Sequence, residues 1–117
     1  MTVPATLSPV DLIQAQFDAY NAQDLDAYCA YFTDDVVIAD VGGAVSSTSN
    51  QALRDRYAGA FAKFPKNRAE LLNRIVLGNA VIDHERVDRG DGTTPTFEVA
   101  AIYTFRGDKI ARVDFTK

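Results

Sequence analysis

Leu71-Leu72-Asn73-Arg74-Ile75-Val76-Leu77-Gly78-Asn79-Ala80-Val81-Ile82-Asp83-His84-Glu85-Arg86-Val87-Asp88 is the stretch that decides the fold. Leu71 to Leu77 and Ala80 to Asp88 read as strands. The two residues between them put glycine in the first central position of a tight hairpin turn, where positive φ is needed. Toward the C-terminus, Arg89-Gly90-Asp91-Gly92-Thr93-Thr94-Pro95 is a second turn, and Thr96 to Phe105 alternates as a strand. Gly107-Asp108 is a third turn, before Lys109 to Phe115. Three consecutive hairpins predict an antiparallel meander.

On the other side of this stretch the period changes from two to that of a helix. Ser8-Pro9-Val10-Asp11 opens a first helix: serine caps free amides, proline fits the first helical position, and an acid follows in the first turn. Val10, Ile13, Phe17 and Tyr20 form its apolar stripe. Asn21-Ala22-Gln23-Asp24 breaks this helix and caps a second, whose stripe is Leu25, Tyr28, Cys29 and Phe32. Thr33-Asp34-Asp35 reads as a turn, Val36 to Val41 as a short strand and Gly42 to Asn50 as a loop. A third helix carries Leu53, Tyr57, Ala60, Phe61 and Phe64, with Pro65 just past its end. Helices first and a sheet after predict an α+β domain over residues 1–117, with residues 1–7 as a loose lead-in.

With 117 residues, 47% of them apolar, the chain is long enough for one core and too apolar to be disordered. Its net charge of −4 supplies no basic face for phosphates, so nucleic acid is not an expected partner. No apolar run is long enough to span a bilayer, and Met1-Thr2-Val3-Pro4 does not resemble a signal peptide, so a cytoplasmic protein is expected. The single cysteine, Cys29, lies in an apolar helical stretch and reads as a buried thiol. One histidine and one cysteine make a zinc site improbable. There is no glycine-rich phosphate loop and no nucleophile elbow, so no cofactor is implied. Acid–base chemistry or binding remains.

Two residues stand out against a plain core. Asp40 closes an apolar strand, either capping the glycine loop after it or standing as a carboxylate at a pocket mouth. His84 lies mid-strand. Alternation puts Ile82, His84 and Arg86 on one face and Val81, Asp83, Glu85 and Val87 on the other. His84 reads as a hydrogen-bonded core histidine or as a proton carrier. Val81, Val87, Ala100 and Ile102 are taken as outward and apolar, a face that a second copy would cover. Asp83 and Glu85, on the same side, suit a polar protein interface.

The segments Asn21 to Asp26, Tyr31 to Val36 and Ile38-Ala39-Asp40 resemble the opening of the nuclear transport factor 2-like superfamily. The closest branches are the ketosteroid isomerases and the SnoaL-like polyketide cyclases. Asn73-Arg74-Ile75-Val76 with Asp83-His84-Glu85 resembles a bacterial subgroup without an assigned reaction. The resemblance spans nearly the whole chain. It implies a cone: three helices wrapped on a curved antiparallel sheet around a pocket, usually as a dimer. Asp40 falls where the isomerases keep the aspartate that moves the proton, Tyr57 where they keep a pocket tyrosine, and His84 where a side chain lines the pocket. Gln16 and Ala101 replace the two oxyanion donors, so the resemblance does not extend to steroid isomerisation.

These readings give an enzyme in which Asp40 and His84 form an acid–base pair. Their pocket is lined by Gln16, Phe17, Tyr20, Tyr57, Tyr103 and Val113, with Arg86 on the His84 face to hold an anion or pair with Asp40. Isomerisation, dehydration, ring closure or water addition on a small apolar molecule would need no cofactor. The alternatives are a ligand-binding module without chemistry and a dimeric adaptor using the outer sheet face.

Overall fold

The helix signals at Ser8 and Asp24 act as the sequence predicts. In the computed structural model, which describes residues 7–116, the Ser8 hydroxyl accepts from the Asp11 amide and the Asp24 carboxylate from the Ala27 amide. They start α1 (Pro9–Ala22) and α2 (Leu25–Ala30). Gln23, between them, takes the left-handed conformation that ends α1. The lead-in expected over residues 1–7 lies outside the described residues, apart from Leu7.

β1 (Phe32–Asp40) follows, then β2 (Val45–Ser47), α3 (Asn50–Lys63), β3 (Arg68–Leu77), β4 (Ala80–Asp88), β5 (Phe97–Arg106) and β6 (Lys109–Thr116). The meander forms as expected: Leu77 pairs with Ala80 across Gly78-Asn79, and Arg106 with Lys109 across Gly107-Asp108. The fold is α+β, with the helices on a curved, unclosed sheet in the order β2-β1-β6-β5-β4-β3.

Three local expectations are corrected. The sheet is mixed, because β1 lies parallel to β6, a long-range pairing that no local signal encodes. Val45–Ser47, expected as loop, adds to β1 as an edge strand. Thr33-Asp34-Asp35, expected as a turn, is extended and lies where the register with β6 slips between Phe32 and Val37. Among the described residues no helix is long and apolar enough to cross a membrane.

The core joins Ile13, Tyr28, Cys29, Phe32, Val36, Ile38 and Leu53 to Val81, Ala101, Tyr103, Ile110 and Val113. The facing of β4 settles what else is inside. Val81, Asp83, Glu85 and Val87 point toward the helices and are buried. Valines expected to face outward are therefore core. Ala100 and Ile102, opposite His84 and Ile82, do lie on the outer face.

Asp83 has no exposed surface, and a carboxylate so placed must be paired. Arg74, its register partner on β3, grips it with two hydrogen bonds of 2.6 and 2.8 Å and donates a third, of 2.8 Å, to Gln14 on α1. Asn21 ties α1 to the edge of β3: its amide donates to the Ala69 carbonyl, and its oxygen accepts from the Ala69 amide. Replacing Arg74 by methionine strands the Asp83 charge, and chemical denaturation should show a loss of about 3–5 kcal/mol. Arg74→Met combined with Asp83→Leu should recover most of it, since an apolar pair needs no partner charge.

Candidate functional site

The curved sheet and the helices leave a cavity of about 200 Å³ between them. α1 presents Gln16, Phe17 and Tyr20 to it, α3 presents Arg56 and Tyr57, and Asp40 stands at the end of β1. From the meander come Glu85, Val87, Arg89, Val99 and Tyr103. Six sequence candidates are thus brought together: Asp40, Gln16, Phe17, Tyr20, Tyr57 and Tyr103.

Three others are elsewhere. His84 and Arg86 are on the opposite face of β4. There His84 Nε2 meets Glu98 Oε1 at 2.6 Å and His84 Nδ1 meets Asn73 Nδ2 at 3.1 Å, while Arg86 donates to Glu70. The structure does not bring Asp40 and His84 together, and Arg86 is not near Asp40. The physical reason is the strand's strict alternation: once Val81 and Val87 enter the core, every even-numbered side chain between them points away from it. Val113 faces inward but is packed solidly in the core and does not line the cavity.

Sequence reasoning missed Arg56, Val87, Arg89 and Val99 of the lining, and with them the buried acid, Glu85. It lines the cavity, and no group among the described residues hydrogen-bonds its carboxyl. Burial, and then the negative charge of Asp83 two residues away, push its pKa up to about 7, with Arg74 opposing. The framing valines carried the signal, since a strand with valines at both ends of one face buries that face.

Aromatic rings cluster on the helical side, and Tyr20, Tyr28 and Tyr57 among them line the cavity. Tyr20, Tyr28, Tyr57 and Phe61 meet at centroid separations of 4.8–6.4 Å in tilted and edge-on pairs. Burial holds the Tyr28 and Tyr103 phenols well above the usual range, the latter aided by the charges of Glu85 and Asp83. Gln16 donates to the Tyr103 hydroxyl at 3.2 Å. Among the described residues no cluster of three histidine, cysteine or carboxylate side chains could hold a metal ion.

The Glu85 shift predicts how stability depends on pH. The unfolded chain releases this proton near 4.5 and the folded chain near 7, so the folded state binds more protons between those values. Stability falls as pH rises through that window, by roughly 3 kcal/mol in all. Glu85→Gln should equal the wild type near the lower limit and exceed it above the upper, as read by thermal melts against pH.

The family model described as a SnoaL-like domain matches residues 13–113. A solved protein of Novosphingobium aromaticivorans, described as an uncharacterized cystatin fold protein, is 39% identical with a TM-score of 0.89, over 95% of this chain and 99% of its own. A putative polyketide cyclase of Sinorhizobium meliloti is 24% identical with a TM-score of 0.77, over 91% of this chain and 94% of its own. A Catenulispora acidiphila protein with a ketosteroid isomerase-like fold, solved with trimethylamine, is 17% identical with a TM-score of 0.76, over 95% of this chain and 87% of its own. None of the curated proteins matches the chain. The chain belongs to the SnoaL-like family of the nuclear transport factor 2-like superfamily.

Proposed function

We propose that the cavity binds a small, largely apolar organic molecule and that Glu85 moves a proton on it. The observation that carries this reading is an unpartnered carboxyl inside a cavity walled by Phe17, Val87, Val99 and Phe115. A carboxyl that titrates near neutrality can both take and give a proton at working pH. Asp40, which lines the same cavity, is the second carboxylate. Two acid–base groups in an apolar hollow suit isomerisation, dehydration, ring closure or water addition. The volume is below the roughly 300–1,000 Å³ of pockets for drug-sized ligands, so the ligand is a molecule of one or two rings.

Exchange of α-protons tests this without knowledge of the natural substrate. With a panel of small cyclic ketones and enones in heavy water, NMR should show deuterium entering faster with the wild type than without protein. Glu85→Gln should slow that exchange by about 10²–10⁴-fold, and Asp40→Asn should slow it less. His84→Ala should leave it unchanged. Equal exchange by Glu85→Gln and wild type would leave only a binding role.

The outer face of the sheet supports a homodimer. Ile75, Ile82, Ala100 and Ile102 share it, and Ile75 is more than half exposed. The pairs His84–Glu98 and Arg86–Glu70 lie on the same face and suit a polar rim. Sedimentation should give a dimer for the wild type and a monomer for Ile75→Arg combined with Ile82→Arg.

A further inference from the structure

Asn67 is buried between two groups that fix which way its amide points. Its Oδ1 accepts from the Arg89 guanidinium at 2.9 Å, and arginine has no acceptor to offer. Its Nδ2 must therefore be the atom at 2.7 Å from the Tyr20 hydroxyl, and it donates. The Tyr20 oxygen is thus occupied as an acceptor, and among the described residues nothing accepts its own proton. Tyr20 lines the cavity.

Arg89 is held firmly at the head of this chain. Its guanidinium lies 4.8 Å from the ring centre of Phe64 and 5.1 Å from that of Phe97. The turn that delivers it requires Gly90, whose φ is +67°. A Cβ there would lie 2.6 Å from the Lys66 carbonyl oxygen, one residue before Asn67. Tyr103 repeats the pattern, its hydroxyl taking the Gln16 amide at 3.2 Å with no acceptor for its own proton among the described residues.

We propose that the Arg89–Asn67–Tyr20 chain makes Tyr20 a committed hydrogen-bond donor to an oxygen of the ligand, one that carries or develops negative charge, such as a carbonyl becoming an enolate or a phenolate. This rests on the reading of the cavity as a small-molecule site and adds the chemical class of the molecule. Neither sequence position that would supply oxyanion donors by resemblance does so here. Gln16 is turned to Tyr103, and Ala101 is buried in the core without a polar group. The chain supplies the donor from another place, and the positive charge behind Asn67 makes that donor stronger. Burial raises the Tyr20 pKa, while the Asn67 bond and Arg89 pull it down.

The test uses para-nitrophenol, whose absorbance distinguishes phenol from phenolate, with nitrobenzene as a ring lacking the hydroxyl. The wild type, Tyr20→Phe and Asn67→Asp are compared. The last keeps the partner of Arg89 but offers Tyr20 an acceptor, which turns its proton away from the cavity. Glu85, Asp40, Arg56 and Arg89 border the cavity in all three proteins, so their charges are common to the comparison. Both variants should raise the pKa of the bound phenol by about one unit, a tenfold loss of phenolate binding, with nitrobenzene binding unchanged. If both probes bind all three proteins equally, the donor chain is overturned and the cavity reading stands. An effect of Asn67→Asp without one of Tyr20→Phe reports charge alone and also overturns it. If the wild type binds neither probe, the inference and the cavity reading fall together.

Discussion

Two carboxylates, Asp83 and Glu85, sit on the face of β4 that the helices cover, and much of the interior answers to the cost of keeping them there. A charge removed from water must find a partner or give up its charge. Asp83 takes the first course: Arg74 reaches it from the neighbouring strand, and Gln14 secures Arg74 from the helix above. Glu85 leans to the second: burial, and then the charge of Asp83, raise its pKa to about 7, against the pull of Arg74, which Asp83 already holds. Alternate positions of a single strand thus hold a carboxylate gripped by a cation and one that nothing among the described residues hydrogen-bonds.

Much of the fold was legible in the residues, because it rests on local rules. Ser8 and Asp24 announce helix starts, and Gly78 and Gly107 announce tight turns, through backbone requirements that few other residues meet. The parallel pairing of β1 with β6 was not legible, because the two strands lie far apart in sequence and nothing in either names the other. The short strand at Val45–Ser47 was hidden by its glycine- and serine-rich surroundings.

The site was legible in outline and inverted in one decisive detail. Aromatic and polar residues of α1, α3 and β5 meet where the sequence reading placed them, with Asp40 beside them. For β4, alternation correctly separated two sets of residues but not inside from outside, since both sets mix charged and apolar side chains. His84, the residue type most associated with proton transfer near neutral pH, stands on the other face against Glu98 and Asn73. Arg74 held the answer: a long cation in register with Asp83 can neutralise it in the interior, which makes the more acidic face the covered one.

The contacts of α1 with the sheet are unusually directional for a helix laid on a hydrophobic surface. Gln14 reaches Arg74, Gln16 reaches Tyr103, Tyr20 receives Asn67, and Asn21 clasps Ala69. Dispersion and hydrophobic attraction tolerate sliding and favour closing any void, whereas hydrogen bonds demand a set separation. The row therefore behaves as a line of struts as well as fasteners. It sets a distance below which α1 cannot settle onto the sheet, so the chain's own hydrogen bonds fix the width of the hollow.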